Sequence, residues 1–82
     1  MKKVVMYTLS TCPWCMRAKK FFREQNIPFD NIEYDKADEQ TRERIKEDCK
    51  SHGEDLSFPF VKIGEEVVVG YDPKKYSRLL GQ

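Results

Sequence analysis

The side chains best suited to chemistry lie in the stretch "STCPWCMRAK", residues 10–19, where a proline and a tryptophan separate Cys12 from Cys15. Two cysteines at this spacing hold a metal ion, form a structural disulfide, or pass electrons through thiol–disulfide exchange. The third cysteine, Cys49, makes the total odd, which is not the pattern of a disulfide framework. The local structure around the pair must therefore distinguish a metal site from a redox site.

The residues around Cys12 predict a redox role. Lys3–Thr8 is a short apolar run typical of a buried strand, and the pattern over 13–25 is helical. Pro13 suits the first position of that helix, so Cys12 stands where unpaired backbone N–H groups and the positive end of the helix dipole favour a thiolate. We therefore predict that Cys12 attacks disulfides, and that Cys15, one turn inside the helix, is the second, resolving thiol.

The remaining patterns predict three more strands and two more helices. The strands are predicted over 28–34, 58–63 and 66–69, and the helices over about 38–52 and 73–80. The strand–helix–strand start implies a parallel pair with a right-handed crossover, and Gly64-Glu65 predicts a tight antiparallel hairpin. We therefore expect one α/β domain over residues 1–82, with a mixed four-stranded sheet covered by helices on both faces.

Capping residues support these helix limits. Asn26 is expected to close the first helix in a left-handed conformation. Asp38 and Asp72 are predicted N-caps of the second and third helices, which end at Gly53 and Gly81.

Composition excludes several classes of function. The net charge is +1, with 15 basic and 14 acidic residues interleaved, so no electrostatic footprint for nucleic acid is present. No segment approaches the ~20 apolar residues of a membrane span. Met1–Lys3 is charged, but the apolar run 4–9 is too short for a secretory leader. We expect a cytoplasmic monomer, in a compartment where disulfides are mostly transient and catalytic.

A zinc site is the main alternative that the residues themselves raise. Cys12, Cys15, Cys49 and His52 form two spaced pairs whose donor atoms suit tetrahedral zinc. Against this, the first pair opens a helix within a strand–helix–strand unit, which is the redox context. The first two helices are also expected on opposite faces of the sheet, so the two pairs should not meet. The prediction is therefore no metal site.

The stretch "MYTLSTCPWCMRAKKFF" resembles the glutaredoxins, whose active site commonly reads Cys-Pro-Tyr-Cys between a strand and a helix. The resemblance covers nearly the whole chain. "SFPF" is similar to the family's Thr-Val-Pro segment and makes Pro59 the expected cis-proline opposite the cysteines, while Gly70 matches the glycine before the last helix. The resemblance implies a thioredoxin-like βαβαββα fold, no permanently bound cofactor, and glutathione as electron donor to disulfide-containing protein substrates.

The resemblance also implies a glutathione groove. Trp14 takes the place of the flanking tyrosine, Phe58 and Pro59 present backbone groups to the glutathione cysteine as an added strand would, and Asp72 meets the amino end. The full set of expected substrate-binding residues is Pro13, Trp14, Phe58, Pro59, Gly70, Tyr71 and Asp72.

Three departures from the family pattern keep other functions open. Leu9 stands where the family usually has a lysine or arginine, and Tyr71 replaces the second glycine of a Gly-Gly pair. "GYDP", residues 70–73, is similar to the ending of redoxins that serve ribonucleotide reductase and are reduced by thioredoxin reductase. Thioredoxin reductase is therefore the alternative donor. Some glutaredoxins share an iron–sulfur cluster across a dimer with two glutathiones, although Pro13 counts against this.

Overall fold

The structure, a computed structural model, describes residues 2–81 and contains a four-stranded sheet with three α-helices and one 3₁₀-helix. The elements are β1 (Val4–Thr8), α1 (Pro13–Glu24), β2 (Asp30–Glu33), the 3₁₀-helix (Tyr34–Lys36), α2 (Glu39–Ser51), β3 (Phe60–Ile63), β4 (Glu66–Val69) and α3 (Pro73–Leu80). This order confirms the predicted βαβαββα arrangement. Across residues 2–81, no helix has the length and apolar character needed to cross a bilayer.

The sheet has the strand order β2-β1-β3-β4 and is mixed, as predicted. β1 pairs in parallel with β2 and antiparallel with β3, and β4 completes the antiparallel hairpin with β3. Tyr7, near the end of β1, lies opposite Phe60, the first residue of β3. The loop that leaves β1 and the segment that enters β3 therefore meet at the same end of the two central strands.

The two faces of the sheet bury separate hydrophobic clusters. On the first face, Val4 and Met6 of β1 pack with Phe22 of α1 and Tyr76 of α3. On the second face, a smaller cluster joins the sheet to α2 and consists of Tyr7, Ile45, Cys49 and Phe60. Alternation along β1 explains the division, because successive side chains of a strand point to opposite faces. The arrangement confirms that α1 and α2 cover opposite faces.

The predicted caps are present. The Asp38 carboxylate accepts a hydrogen bond from the Thr41 N–H at 2.8 Å, and Asp72 accepts one from the Lys75 N–H at 3.1 Å. Asn26 follows α1 with a φ of 57°, in the left-handed region that closes a helix.

Two strand boundaries differ from the prediction. β2 is shorter than 28–34, because Tyr34 begins the 3₁₀-helix and Phe29 packs against the first hydrophobic cluster before pairing starts. β3 begins at Phe60 rather than Phe58, after a cis peptide between Phe58 and Pro59. Because proline has no backbone N–H to donate, Pro59 is suited to a position outside the central ladder.

Candidate active site at the Cys12–Cys15 pair

Cys12 is the N-cap residue of α1, as the sequence predicts. Its backbone is extended, with φ −94° and ψ 113°, and its Sγ accepts a hydrogen bond from the Cys15 N–H at 3.3 Å. The Cys12 N–H in turn donates to the Leu9 carbonyl at 3.2 Å, which closes the turn that leaves β1. The Cys12 sulfur is partly exposed and lies against the helix N-terminus, where backbone N–H groups and the helix dipole stabilise negative charge.

Cys15 has a very different environment. Its side chain is 0% exposed, and burial, followed by its hydrogen bond with Cys12, raises its pKa to about 12. Cys15 is therefore a protonated thiol at neutral pH. The pair consists of one accessible sulfur at the helix start and one buried sulfur a turn further along the chain.

Five of the seven predicted substrate-binding residues line one open pocket of about 250 Å³ beside the cysteines. They are Trp14, Phe58, Pro59, Gly70 and Tyr71. The Phe58–Pro59 peptide is cis, which confirms the geometry implied by the family resemblance. The Gly70 N–H donates to the Pro59 carbonyl at 2.8 Å, so the entry to β3 and the exit from β4 are joined on the pocket floor.

The other two predicted residues border the pocket without lining it. Pro13 is the first residue of α1 and follows Cys12 directly. Asp72 follows the pocket residue Tyr71, and its carboxylate already caps α3.

Two aromatic rings form one wall of the pocket. The indole of Trp14 is 54% exposed and stacks on the Tyr71 ring, with centroids 6.0 Å apart and ring planes at 27°. The guanidinium carbon of Arg17 lies 4.9 Å from the Trp14 ring centroid, a distance that gives a cation–π contact. Sequence reasoning missed Arg17, although its i+3 spacing from Trp14 on a helix brings the two side chains together.

Tyr76 contributes a polar contact from within the core. Its ring is fully buried, and its hydroxyl donates a hydrogen bond to the carbonyl of Gly70 on the pocket floor. Burial raises the pKa of Tyr76, so the hydroxyl is protonated and able to donate at neutral pH. Helical periodicity does not reveal this contact, because it carries no information on the hydrogen-bonding partner of a hydroxyl.

Two further polar contacts hold the active-site loop to neighbouring elements. The backbone N–H of Ser10 donates to Asp35 Oδ1 at 2.9 Å, and the Ser10 hydroxyl donates to Oδ2. These hydrogen bonds lower the pKa of Asp35 and link the turn before Cys12 to the 3₁₀-helix. The Lys19 ammonium, with only 14% of its side chain exposed, lies 3.8 Å from the Glu33 carboxylate and ties α1 to the end of β2.

Cys49 and His52 are not brought to the cysteine pair. Cys49 is buried in the second-face cluster beneath α2, and burial raises the pKa of its thiol. Within residues 2–81, no group of three or more histidine, cysteine or acidic side chains has a metal-binding arrangement. Two of the four ligands that a zinc site would need, Cys49 and His52, therefore lie on the opposite face of the sheet from Cys12 and Cys15.

The second face instead carries a polar network beside Cys49. The Lys62 ammonium donates to the Asp48 carboxylate and, at 3.2 Å, to the Tyr7 hydroxyl, which itself donates to Asp48. Burial alone would raise the pKa of Asp48, but the hydrogen bonds from Lys62 and Tyr7 outweigh it and lower that pKa. Each polar group of the network has a partner, as a half-buried charged cluster requires.

The fold and the cysteine pair define a thioredoxin-like protein with the architecture of the thiol oxidoreductases. The glutaredoxin family model matches residues 4–68, and the chain belongs to the glutaredoxin family.

Individual relatives agree with this assignment. An uncharacterized glutaredoxin-like 8.6 kDa protein of the rubredoxin operon of Clostridium pasteurianum is 27% identical over 77 residues, which are 94% of this chain and 96% of that protein. The crystal structure of a glutaredoxin from Archaeoglobus fulgidus matches with a TM-score of 0.87 at 34% identity, over 100% of this chain and 89% of that chain. A crystal structure of a thioredoxin-like protein matches with a TM-score of 0.78 at 31% identity, over 94% and 99% of the two chains.

Proposed function

We propose that this protein catalyses thiol–disulfide exchange, with Cys12 as the attacking thiolate and Cys15 as the resolving thiol. The contrast between the two sulfurs carries the proposal, because one is accessible at a helix N-terminus and the other is buried with its pKa raised to about 12. A pair arranged in this way attacks in a fixed order. The exposed Cys12 sulfur reacts with the substrate first, and the buried Cys15 sulfur, one helical turn away, reacts second.

The first step forms a mixed disulfide. The Cys12 thiolate attacks one sulfur of the substrate disulfide, the substrate S–S bond breaks, and the leaving thiolate takes a proton from water. In the second step the Cys15 thiol gives its proton to water and attacks Cys12 Sγ. The mixed disulfide breaks, the second substrate sulfur leaves as a thiolate that takes a proton from water, and a Cys12–Cys15 disulfide remains. The substrate gains two electrons and the protein loses two.

Formation of the mixed disulfide changes the surroundings of Cys15 before the second step. After burial, the hydrogen bond to Cys12 and the negative charge on Cys12 both raise the pKa of Cys15. The mixed disulfide removes that charge, since Cys12 is then bonded to the substrate. Loss of this charge removes one of the causes that raise the pKa of Cys15, while burial, the largest cause, remains.

We further propose that glutathione returns the protein to its reduced state. One glutathione thiolate attacks Cys12 Sγ, which breaks the Cys12–Cys15 bond and frees Cys15, whose thiolate takes a proton from water. A second glutathione thiolate attacks the glutathione sulfur of the mixed disulfide, which breaks that bond and releases oxidised glutathione and the Cys12 thiolate. The membership in the glutaredoxin family supports this donor, as does the pocket formed by Trp14, Phe58 and Pro59 with Gly70. Phe58 precedes β3 and lies outside its ladder, so its backbone groups suit hydrogen bonding to an extended ligand.

The decisive experiment compares two electron donors. The oxidised protein is supplied either with glutathione, glutathione reductase and NADPH, or with thioredoxin reductase and NADPH, and NADPH consumption is followed with a peptide disulfide as acceptor. We expect turnover with glutathione. Turnover with thioredoxin reductase alone would overturn the glutathione assignment and would indicate that the Tyr71 ring on Trp14 closes the groove to glutathione.

Two single-atom replacements test the roles of the cysteines. Cys12→Ser should abolish every exchange reaction, and activity remaining in that variant would contradict the mechanism. Cys15→Ser should retain the removal of glutathione from mixed disulfides, which needs one thiol, and should lose dithiol reduction of a peptide disulfide.

A further inference from the structure

A second groove lies beside the active-site pocket and differs from it in charge. The groove has a volume of about 350 Å³ and is lined by Arg17, Lys20, Phe21, Glu24 and Tyr71. Tyr71 belongs to both cavities, and the residues that line the active-site pocket are all uncharged. A ligand that extends past the Tyr71 ring therefore passes from a neutral cavity to one that presents two cationic side chains and one carboxylate.

The cations of this groove belong to a wider basic region. α1 carries four basic residues and one acidic residue, and α3 carries three basic residues and no acidic one. α2, on the opposite face, carries four of each, and the whole chain has a net charge of only +1. The positive charge is therefore concentrated on the face of the sheet that bears the cysteine pair.

Arg17 and Lys20 are available to a ligand. Both are exposed, and within residues 2–81 neither forms an ion pair, whereas Lys19 between them is engaged with Glu33. The contact with Trp14 holds the Arg17 guanidinium next to the active-site wall. Glu24 also lines the groove, one helical turn beyond Lys20, and reduces but does not cancel the positive charge.

We propose that this groove recognises an acidic side chain of a disulfide-bearing polypeptide substrate, close in sequence to the cysteine that Cys12 attacks. The inference rests on the proposed function and adds a substrate class to it. The Arg17 guanidinium carbon and the Tyr71 ring both lie within 6.0 Å of the Trp14 ring centroid. An extended chain, which rises about 3.3 Å per residue, crosses this stack in about two to four residues.

The test uses two peptide disulfides of equal length that differ only in carrying glutamate or glutamine three residues from the reactive cysteine. The variant Arg17→Gln/Lys20→Gln removes the groove's cations. The matched control, Arg44→Gln/Lys50→Gln, removes the same charge from exposed positions of α2 on the opposite face. Thermal unfolding verifies that all three proteins are folded, and kcat/KM is measured for both peptides.

We expect the wild type to favour the acidic peptide by about three- to tenfold at low ionic strength, since exposed ion pairs each contribute modestly. The Arg17/Lys20 variant should lose this preference through a larger fall in kcat/KM on the acidic peptide than on the neutral one, while the control variant keeps the preference. Raising the ionic strength to about 0.5 M should also abolish the preference, because the screening length then falls well below 10 Å.

Three outcomes would overturn the inference. The wild type reduces both peptides equally, or the control variant loses the preference as well, or the groove variant loses the same factor on both peptides and on a glutathione mixed disulfide. In each case the proposed thiol–disulfide exchange itself survives. If the wild type reduces neither peptide, the proposed function fails and the inference fails with it.

Discussion

The two faces of the sheet each hold a cysteine on a helix, and their environments are opposite. Cys12 stands at the N-terminus of α1, partly exposed, where the helix stabilises negative charge. Cys49 lies near the C-terminus of α2, buried against the sheet, and burial together with the adjacent Asp48 carboxylate raises its pKa. The comparison teaches that the reactivity of a cysteine in this fold depends on the end of the helix that it occupies and on its access to solvent.

Selective alkylation gives the largest expected contrast between the two faces. Iodoacetamide should modify Cys12 of the reduced protein first, while Cys15 and Cys49 react only on unfolding. At pH 7 a thiol with a pKa of about 12 is ionised in roughly one molecule in 100,000, so Cys15 is protected chemically as well as by burial. Peptide mapping by mass spectrometry measures the order, and labelling of Cys49 at the rate of Cys12 would contradict the comparison.

A substitution on the second face should lower the stability of the protein but leave its activity unchanged. Cys49→Ala should leave kcat/KM for a peptide disulfide within about twofold of the wild type, and should lower the free energy of unfolding by about 1 kcal/mol through the small cavity it creates. The coupled NADPH assay and urea unfolding measure the two quantities. A large loss of activity at full stability would assign Cys49 a redox role.

The polar network of the second face should be a stability element. Asp48→Ala leaves the Lys62 ammonium and the Tyr7 hydroxyl without their shared acceptor, and we expect a loss of about 2 kcal/mol in the free energy of unfolding. Urea unfolding monitored by circular dichroism gives the value. Activity per folded molecule should be unchanged, and a selective fall in kcat would show that the network acts on the first face.

The same network predicts how stability depends on pH. The pKa of Asp48 is lowered in the folded state. Its contribution to the free energy of unfolding is therefore present above the unfolded-state pKa of about 3.9 and is lost as the pH falls through the folded-state pKa. Burial opposes the charge on Lys62, but hydrogen bonds to Asp48 and Tyr7 outweigh it and raise the pKa of Lys62. The contribution of Lys62 to the free energy of unfolding is therefore present below its unfolded-state pKa of about 10.4 and is lost as the pH rises through the folded-state pKa. Melting temperatures of the wild type and Asp48→Ala should therefore converge below about pH 4.

A further prediction concerns Tyr76, which joins the core of the first face to the active-site pocket. Tyr76→Phe keeps the ring and removes the hydrogen bond to the Gly70 carbonyl, which should cost about 1 kcal/mol of stability. Because Gly70 lies on the pocket floor, KM for a peptide disulfide should rise by about two- to threefold with little change in kcat. An unchanged KM would limit Tyr76 to a role in packing.

Local sequence patterns were sufficient to predict the fold. The caps at Asp38 and Asp72, the left-handed Asn26 and the hairpin at Gly64-Glu65 depend on neighbours within a few residues, and all are present. The strand limits near Tyr34 were wrong, because the 3₁₀-helix there depends on tertiary contacts. Tyr34 packs against the Phe58 ring, with centroids 5.4 Å apart, across a separation that no local pattern records.

The candidate site also contains some features that the sequence predicted and others that it did not. The order and placement of Cys12 and Cys15 follow from Pro13 and the helix pattern, and the pocket residues follow from the family resemblance. The contact of Arg17 with Trp14, the Tyr76–Gly70 hydrogen bond and the Ser10–Asp35 anchor were not predicted. The Ser10–Asp35 contact joins segments far apart in the chain, and the Tyr76–Gly70 hydrogen bond depends on the direction of a hydroxyl. Neither property follows from a periodic sequence pattern.

The strand order predicts different backbone mobility for the two sides of the candidate active site. Cys12 and Pro59 adjoin β1 and β3, the two central strands, whereas Gly70 and Tyr71 follow β4, which has a neighbour on one side only. Local opening costs least at the edge of a sheet, so backbone amides of β4 should exchange with deuterium well before those of β1. The side of the candidate site that carries Tyr71 is therefore expected to open before the side that carries Cys12.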